Sequence, residues 1–257
     1  MLVLLSCAKT MSAVSKVKVP LTTSPRFQKE AAEIALQMSQ FSVDELERLL
    51  RVNAKIAVEN YKRYQAFHAE ATPELPALLA YTGIIFKRLN PKDFSAEDFG
   101  YAQEHLRLTS FCYGLLRPLD VIRAYRLEGD VVLPELGNQT LFSYWRSRLT
   151  DTFIEDIRSA GGILCNLASY EMKSLFDWKR VESEVRVVTP EFHVWKNGKL
   201  ATIVVYTKMS RGEMTRFILK NKIGNPEELK GFSWEGFEFD ESLSDERKLV
   251  FINGMGE

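Results

Sequence analysis

The chain is poor in the residues that staple or metallate small folds. Of its 257 residues, three are cysteine and three are histidine. Cys7, Cys112 and Cys165 lie far apart in apolar contexts, which speaks against a disulfide framework or a CxxC metal site and marks them as buried free thiols. His68, His105 and His193 show no metal-ligand spacing with a cysteine or with each other, so a zinc enzyme or a histidine-based hydrolase has no support. Net charge is also missing: 34 basic residues balance 34 acidic ones. That excludes a strongly basic chromatin-type protein but leaves room for a local basic cleft on a neutral body. No run approaches the roughly 18 apolar residues of a membrane span. There is no Walker loop and no GxGxxG, so an NTPase or dinucleotide enzyme is not indicated.

Leu4-Leu5-Ser6-Cys7 resembles a lipoprotein cleavage box, but only Leu2 to Leu5 precede it, with no basic n-region. Leu2 to Ser6 therefore reads as a buried strand. The expectation is a cytoplasmic protein with no membrane partner, no cofactor and no obligate protein partner.

What is present is ordinary for a globular chain: 46% hydrophobic and 26% charged residues. Lys9 to Pro25 reads as a long loop, and Pro25 suits the first turn of a helix carrying Phe27, Ala31, Ile34, Ala35 and Met38. Ser42-x-x-Glu45 is a capping box, followed by a second helix from about Ile56 to Phe67. Pro73 to Tyr81 suggests a further helix, and Ser95 caps one running to about Leu106. Leu106 to Tyr113 fits either its continuation or a strand. Thr140 to Ala160 is amphipathic and ends at Gly161-Gly162. Ile163 to Ala168 is an apolar strand. Val185 to Val194 and Leu200 to Thr207 flank Asn197-Gly198, a hairpin signal. Met209 to Asn221 is helical, Pro226 to Lys230 forms a short helical turn, and short strands fall near Phe237 and Val250. No repeat or linker interrupts residues 1–257. The expected fold is one α/β domain with a mixed sheet surrounded by helices.

The densest chemistry lies in Tyr113 to Glu128, YGLLRPLDVIRAYRLE. Gly114 permits backbone angles closed to other residues, Pro118 holds Arg117 extended, and Asp120 suits the N-cap of a helix from Val121. This corner aims Arg117, Arg123 and Arg126 either at phosphate or carboxylate, or at Asp120 and Glu128 as internal ion pairs. Three further segments place polar and basic residues after strands. Lys9 and Thr10 follow Leu2 to Ser6. Asn166, Ser169, Glu171 and Lys173 lie at the end of Ile163 to Leu167. Lys208 and Arg211 follow Leu200 to Tyr206. Parallel strands would bring these together in one anion-binding cleft. The helix expected from Gly212 through Arg216 would offer its N–H groups to the same anion.

These segments carry a resemblance. Ser6-Cys7-Ala8-Lys9-Thr10, His105-Leu106-Arg107, Tyr113 to Asp120, Tyr125-Arg126-Leu127-Glu128, Asn166-Leu167-Ala168-Ser169, and Lys208 through Arg211-Gly212 to Arg216-Phe217 resemble the YaaA family of bacterial peroxide-stress proteins in spacing and order. Cys7 and Ala124 stand where that family usually has proline. Gly129-Asp130 replaces Met-Gly, and the Asn166–Lys173 segment is one residue short. The resemblance implies the single-domain cantaloupe fold and a positively charged cleft. It implies double-stranded DNA binding, partly through a helix-hairpin-helix-like element, and a role in limiting free iron and oxidative DNA damage. The expected DNA contacts are Lys9, Arg107, Arg117, Arg123, Arg126, Lys173, Lys208, Arg211 and Arg216, with Thr10, Asn166, Ser169 and Glu128 as polar cleft residues. The leading expectation is a binder without catalysis. The rival is an enzyme on a nucleotide or nucleobase, because Glu128 and Glu171 beside lysines suit acid–base work. Direct iron or haem handling would need clustered ligands, and the candidates are dispersed.

Overall fold

Leu2–Leu5 (β1) is apolar at every position because both faces of its sheet are covered. All four side chains are fully buried, each contributing about 1.5–3 kcal/mol of transfer free energy. In the computed structural model, which describes residues 1–196 and 198–254, β1 lies inside an eight-stranded mixed sheet. The other strands are β2 (Leu106–Ser110), β3 (Gly114–Leu116), β4 (Ile163–Asn166), β5 (Arg186–Lys196), β6 (Lys199–Ala201), β7 (Phe237–Asp240) and β8 (Lys248–Asn253). Their order is β7-β8-β5-β4-β1-β2-β3, with β6 on β5. The five central strands are parallel, in the register Val3↔Cys165 and Val3↔Leu106 around β1. Strands β3, β6 and β7 are antiparallel additions.

Helices cover the sheet: α1 (Gln28–Met38), α2 (Val43–Leu50), α3 (Ala54–Ala66), α4 (Ile84–Leu89), α5 (Ala96–His105), α6 (Leu141–Ser159), α7 (Trp178–Glu184) and α8 (Val204–Asn221). Capping boxes at Ser42/Glu45 and Ser95/Asp98 start α2 and α5. The α6 face bearing Trp145, Leu149 and Phe153 is fully buried, and Trp145 Nε1 donates to the Phe111 carbonyl at 2.8 Å. Gly114 turns the chain between β2 and β3 at φ +69°, and a Cβ there would stand 2.7 Å from the Trp145 ring.

Tertiary pairing overrides local signals in several places. The helix expected over Pro73 to Tyr81 is a strand (Glu74–Pro76), one helical turn (Ala77–Ala80) and a second strand (Tyr81–Thr82). Val121–Arg123, expected to be helical, is the strand that Glu74–Pro76 pairs with. Its β-branched Val121 and Ile122 favour the extended form. Asp120 caps no helix there; its carboxylate accepts from the Arg117 backbone N–H at 2.8 Å and from Thr23 Oγ1 at 2.6 Å. Leu106 to Ser110 is a strand. Helix α1 begins at Gln28, three residues past Pro25. The strand expected over Leu200 to Thr207 stops at Ala201, and α8 starts at Val204. Gly212 is therefore inside α8 and presents no free helix N-terminus. Strands β5 and β6 pair as the hairpin signal requires, although Asn197 itself lies outside the described residues.

Candidate functional site

The carboxyl ends of β1, β2 and β4 face one edge of the sheet, and strand order reverses at β1. Ligands of open α/β sheets sit outside such a reversal. A cavity of about 290 Å³ opens there. The segment after β1 supplies Cys7, Lys9 and Thr10; the turn after β2 supplies Phe111; the loop after β4 supplies Ser169, Glu171 and Met172. Thr82 to Phe86, Tyr125 to Leu127, and Lys208 and Arg211 of α8 complete the wall.

Hydrogen bonds fix these pieces to one another. The Ser169 backbone N–H donates to Ser6 Oγ at 2.8 Å, joining the loops after β1 and β4. The Cys7 N–H donates to Thr109 Oγ1 of β2 at 3.2 Å. Thr82 Oγ1 donates to Thr10 Oγ1 at 2.9 Å. The Tyr125 hydroxyl shares hydrogen bonds with Tyr81 at 2.7 Å and Ser110 at 2.6 Å. A wall held this way is preorganised, so a ligand would not have to order it.

Charge in the cavity is unbalanced. Lys9, Arg126, Lys208 and Arg211 face it, against the exposed carboxylate of Glu171. Glu128 is buried behind the wall, with Oε2 2.7 Å from Lys9 Nζ and Oε1 3.6 Å from Arg126 Nη2. Arg126 Nε, Arg211 Nε and Glu128 Oε1 are buried without a hydrogen-bond partner. Desolvation lowers the pKa of the Arg211 guanidinium from its ordinary value. Cys7 is half-buried in the wall, and burial pushes its thiol up to about 12, with Glu171 and Glu128 adding to the rise. Burial raises Cys165 to about 12 and Cys112 further still. Direct reduction of peroxide needs a thiolate, and none of these environments favours one.

Of the nine basic residues expected at DNA, Lys9, Arg126, Lys208 and Arg211 meet at the cavity; Thr10 and Ser169 join them. The others are placed elsewhere. Arg107 is buried, its Nε donating to Asp156 at 2.6 Å and its Nη1 to the Gln103 carbonyl at 3.1 Å. Arg117 Nη2 donates to Asp120 at 2.9 Å, and Arg123 Nε to Glu74 at 2.9 Å. These two arginines are thus committed to internal ion pairs. Arg216 grips Asp93 through two bonds of 2.8 and 2.7 Å and also reaches the carbonyls at the end of α4. The Lys173 ammonium lies over the Trp178 ring at 4.9 Å. Asn166 is buried and accepts from the Ala168 N–H, shaping the turn after β4.

A neighbouring groove of about 860 Å³ escaped the reading of the sequence. Exposed Lys16, Lys18, Lys87 and Lys92 line it with no carboxylate among its walls, and it shares Thr82 and Phe86 with the cavity. Lys16 and Lys18 come from the Lys9–Pro25 loop, whose lysines were its one legible signal.

Fold and site together define a mixed α/β protein with a cation-lined cavity at the carboxyl edge of its parallel strands. The family model described as peroxide stress protein YaaA matches residues 1–243. The chain is 98% identical to a UPF0246 protein of Bacteroides thetaiotaomicron and 77% identical to one of Bacteroides fragilis, each over all of both chains. It is 37% identical to a UPF0246 protein of Crocosphaera subtropica over 98% of this chain and 100% of the relative. The chain belongs to the peroxide stress protein YaaA family, and that membership supports a role in peroxide stress. No helix among the described residues is long and apolar enough to cross a membrane.

Proposed function

We propose that the protein binds double-stranded DNA during peroxide stress and limits free intracellular iron and oxidative DNA damage. The observation that carries the DNA reading is that the cation-lined cavity and the lysine groove adjoin, sharing Thr82 and Phe86. On a chain without net charge, such a concentration attracts polyphosphate through position alone. The helix-hairpin-helix-like element is best matched by α2 and α3, joined through Arg51-Val52-Asn53. Arg51 turns the chain at φ 52°, and Asn53 Oδ1 caps α3 by accepting from the Ile56 N–H at 3.0 Å. Arg51 pairs with Asp130, two residues beyond Glu128. A duplex held at the hairpin would therefore lie close to the cavity. The link to iron rests on family membership; among the described residues no group of three His, Cys, Asp or Glu is arranged to hold a metal ion.

The test is fluorescence anisotropy of a labelled duplex against salt. Log affinity should fall linearly with log salt, by about 0.9 per phosphate neutralised. Lys87→Ala and Lys92→Ala should each flatten the slope by about 1. Affinity that ignores salt would sink the proposal, as would peroxide protection fully retained by a variant that no longer binds DNA.

A second reading, an enzyme on a nucleotide or nucleobase, is favoured by the buried Glu128 carboxylate between Lys9 and Arg126. A folded Glu128→Gln protein that binds DNA normally but fails to protect cells from peroxide would favour catalysis over binding.

A further inference from the structure

Arg126 and Arg211 both line the cavity, and the Nε of each is buried just behind that lining without an acceptor. An unsatisfied buried donor costs about 1–3 kcal/mol, and more when charged. A ligand carrying anionic oxygens relieves that cost if either guanidinium turns its N–H toward the cavity. The rest of the wall is not built for a bare anion: Phe86, Phe111, Tyr125, Leu127 and Met172 line it with aromatic and aliphatic surface. Glu171 at the mouth is an acceptor for exocyclic amines or ring N–H groups. The volume of about 290 Å³ falls at the small end of ligand pockets, near 300 Å³.

We propose that this cavity is a nucleotide pocket that takes one nucleoside monophosphate unit, its phosphate held by Lys208, Arg211 and Arg126 and its base packed on the apolar wall within reach of Glu171. The unit can come from a free nucleotide or from a nucleotide swung out of bound DNA. Only the second source rests on the DNA-binding reading above. Tyr170 stands between Ser169 and Glu171 and is 83% exposed, with the Lys173 ammonium 5.6 Å from its ring. Its ring lines the adjoining surface pocket with Lys173 and Trp178 rather than the cavity itself, and an exposed ring one residue from the cavity-lining Ser169 and Glu171 suits stacking on an unpaired base or filling the gap that an extruded base leaves.

The experiment has two arms. In the first, isothermal titration compares deoxynucleoside monophosphates with the corresponding nucleosides and with inorganic phosphate. At least one monophosphate should bind tenfold or more tightly than either part alone. Lys208→Ala, at an exposed position that should fold normally, should weaken it about tenfold with an unchanged melting temperature. Ala8→Phe, which fills the cavity, should abolish it. In the second arm, a duplex carrying 2-aminopurine reports a swung-out base as a rise in fluorescence, which Ala8→Phe and Tyr170→Ala should reduce while groove binding persists. Nucleotide binding without a fluorescence rise assigns the free source, and a rise without free-nucleotide binding assigns DNA; both uphold the pocket. Nucleotide binding by a protein that does not bind duplex at all would uphold the pocket and refute the DNA reading. Inorganic phosphate binding as tightly as the nucleotides, or neither signal from folded protein, overturns the proposal.

Discussion

Gly212→Ala tests whether one close helix crossing sets the shape of the cavity. Gly212 lies inside α8, where a Cβ would come 2.4 Å from the Ile85 carbonyl oxygen and 2.8 Å from Arg88 Cβ of α4. Ordinary contact begins at 3.4 Å, so the helices must separate by about 1 Å. A carbonyl oxygen held in a helix cannot swing aside as a flexible side chain can. Alanine gains about 1 kcal/mol over glycine in helix propensity. Overpacking of a tight contact costs about 1–3 kcal/mol, and an immovable backbone atom places this site toward the upper end. The net loss should be about 1–2 kcal/mol. For a domain of this size each kcal/mol moves the melting temperature by about 2–4 °C, so a fall of roughly 2–8 °C is expected by circular dichroism. The same shift moves Ile84 to Phe86 away from Lys208 and Arg211, so whatever occupies the cavity should bind more weakly. A melting temperature equal to or above that of the parent would show that helix propensity outweighs the contact, and would refute this account.

Other perturbations follow from single sites. Burial alone would raise the Asp98 carboxyl, but Lys220 at 2.7 Å, Lys222 at 2.6 Å and Ser95 hold it well below the usual carboxylate range. Its contribution is therefore complete above about pH 5 and lost as pH falls toward the folded-state value. Asp98→Asn should lower the melting temperature at pH 7 and flatten its decline in acid; parallel pH curves would contradict this. Arg117→Ala leaves the buried Asp120 carboxylate short of its guanidinium and should cost about 1–3 kcal/mol, with DNA affinity per folded molecule unchanged. Weaker binding at constant stability would reverse that assignment. With its thiol pushed up to about 12, Cys7 should be alkylated slowly near neutral pH, the rate climbing about tenfold per pH unit through pH 9. A rate that levels off near pH 7 would disprove it.

Local chemistry made much of the molecule readable. The capping boxes at Ser42 and Ser95, the Gly161-Gly162 stop and the all-apolar Leu2–Leu5 each act within a few residues, and the elements formed where these signals stood. The polar residues behind β1 and β4 were also legible, because parallel strands deliver their carboxyl ends to one edge. The misreadings have a common cause. Val121 to Arg123 and Glu74 to Pro76 are short enough for either state, and each became extended because the other was there to pair with. Lys208 and Arg211 were expected past a strand end and reach the cavity instead from one face of α8.

The sequence by itself determined the α/β class, the capped helices and apolar central strands, and the residue types able to gather at the sheet edge, since propensity, capping and burial pattern are local properties. Only the tertiary structure decided which arginines line the cavity. Arg107, Arg123 and Arg216 carry the same charge as Arg126 and Arg211, and nothing in their own neighbourhoods distinguishes a phosphate ligand from an ion-pair partner, whereas the partner of Arg117, Asp120, stands three residues away. Asp156 lies 49 positions from Arg107, Glu74 49 from Arg123 and Asp93 123 from Arg216. Such pairs form only when the whole chain has folded, because a charge is neutralised by whatever lies within a few ångströms in space, however distant along the chain.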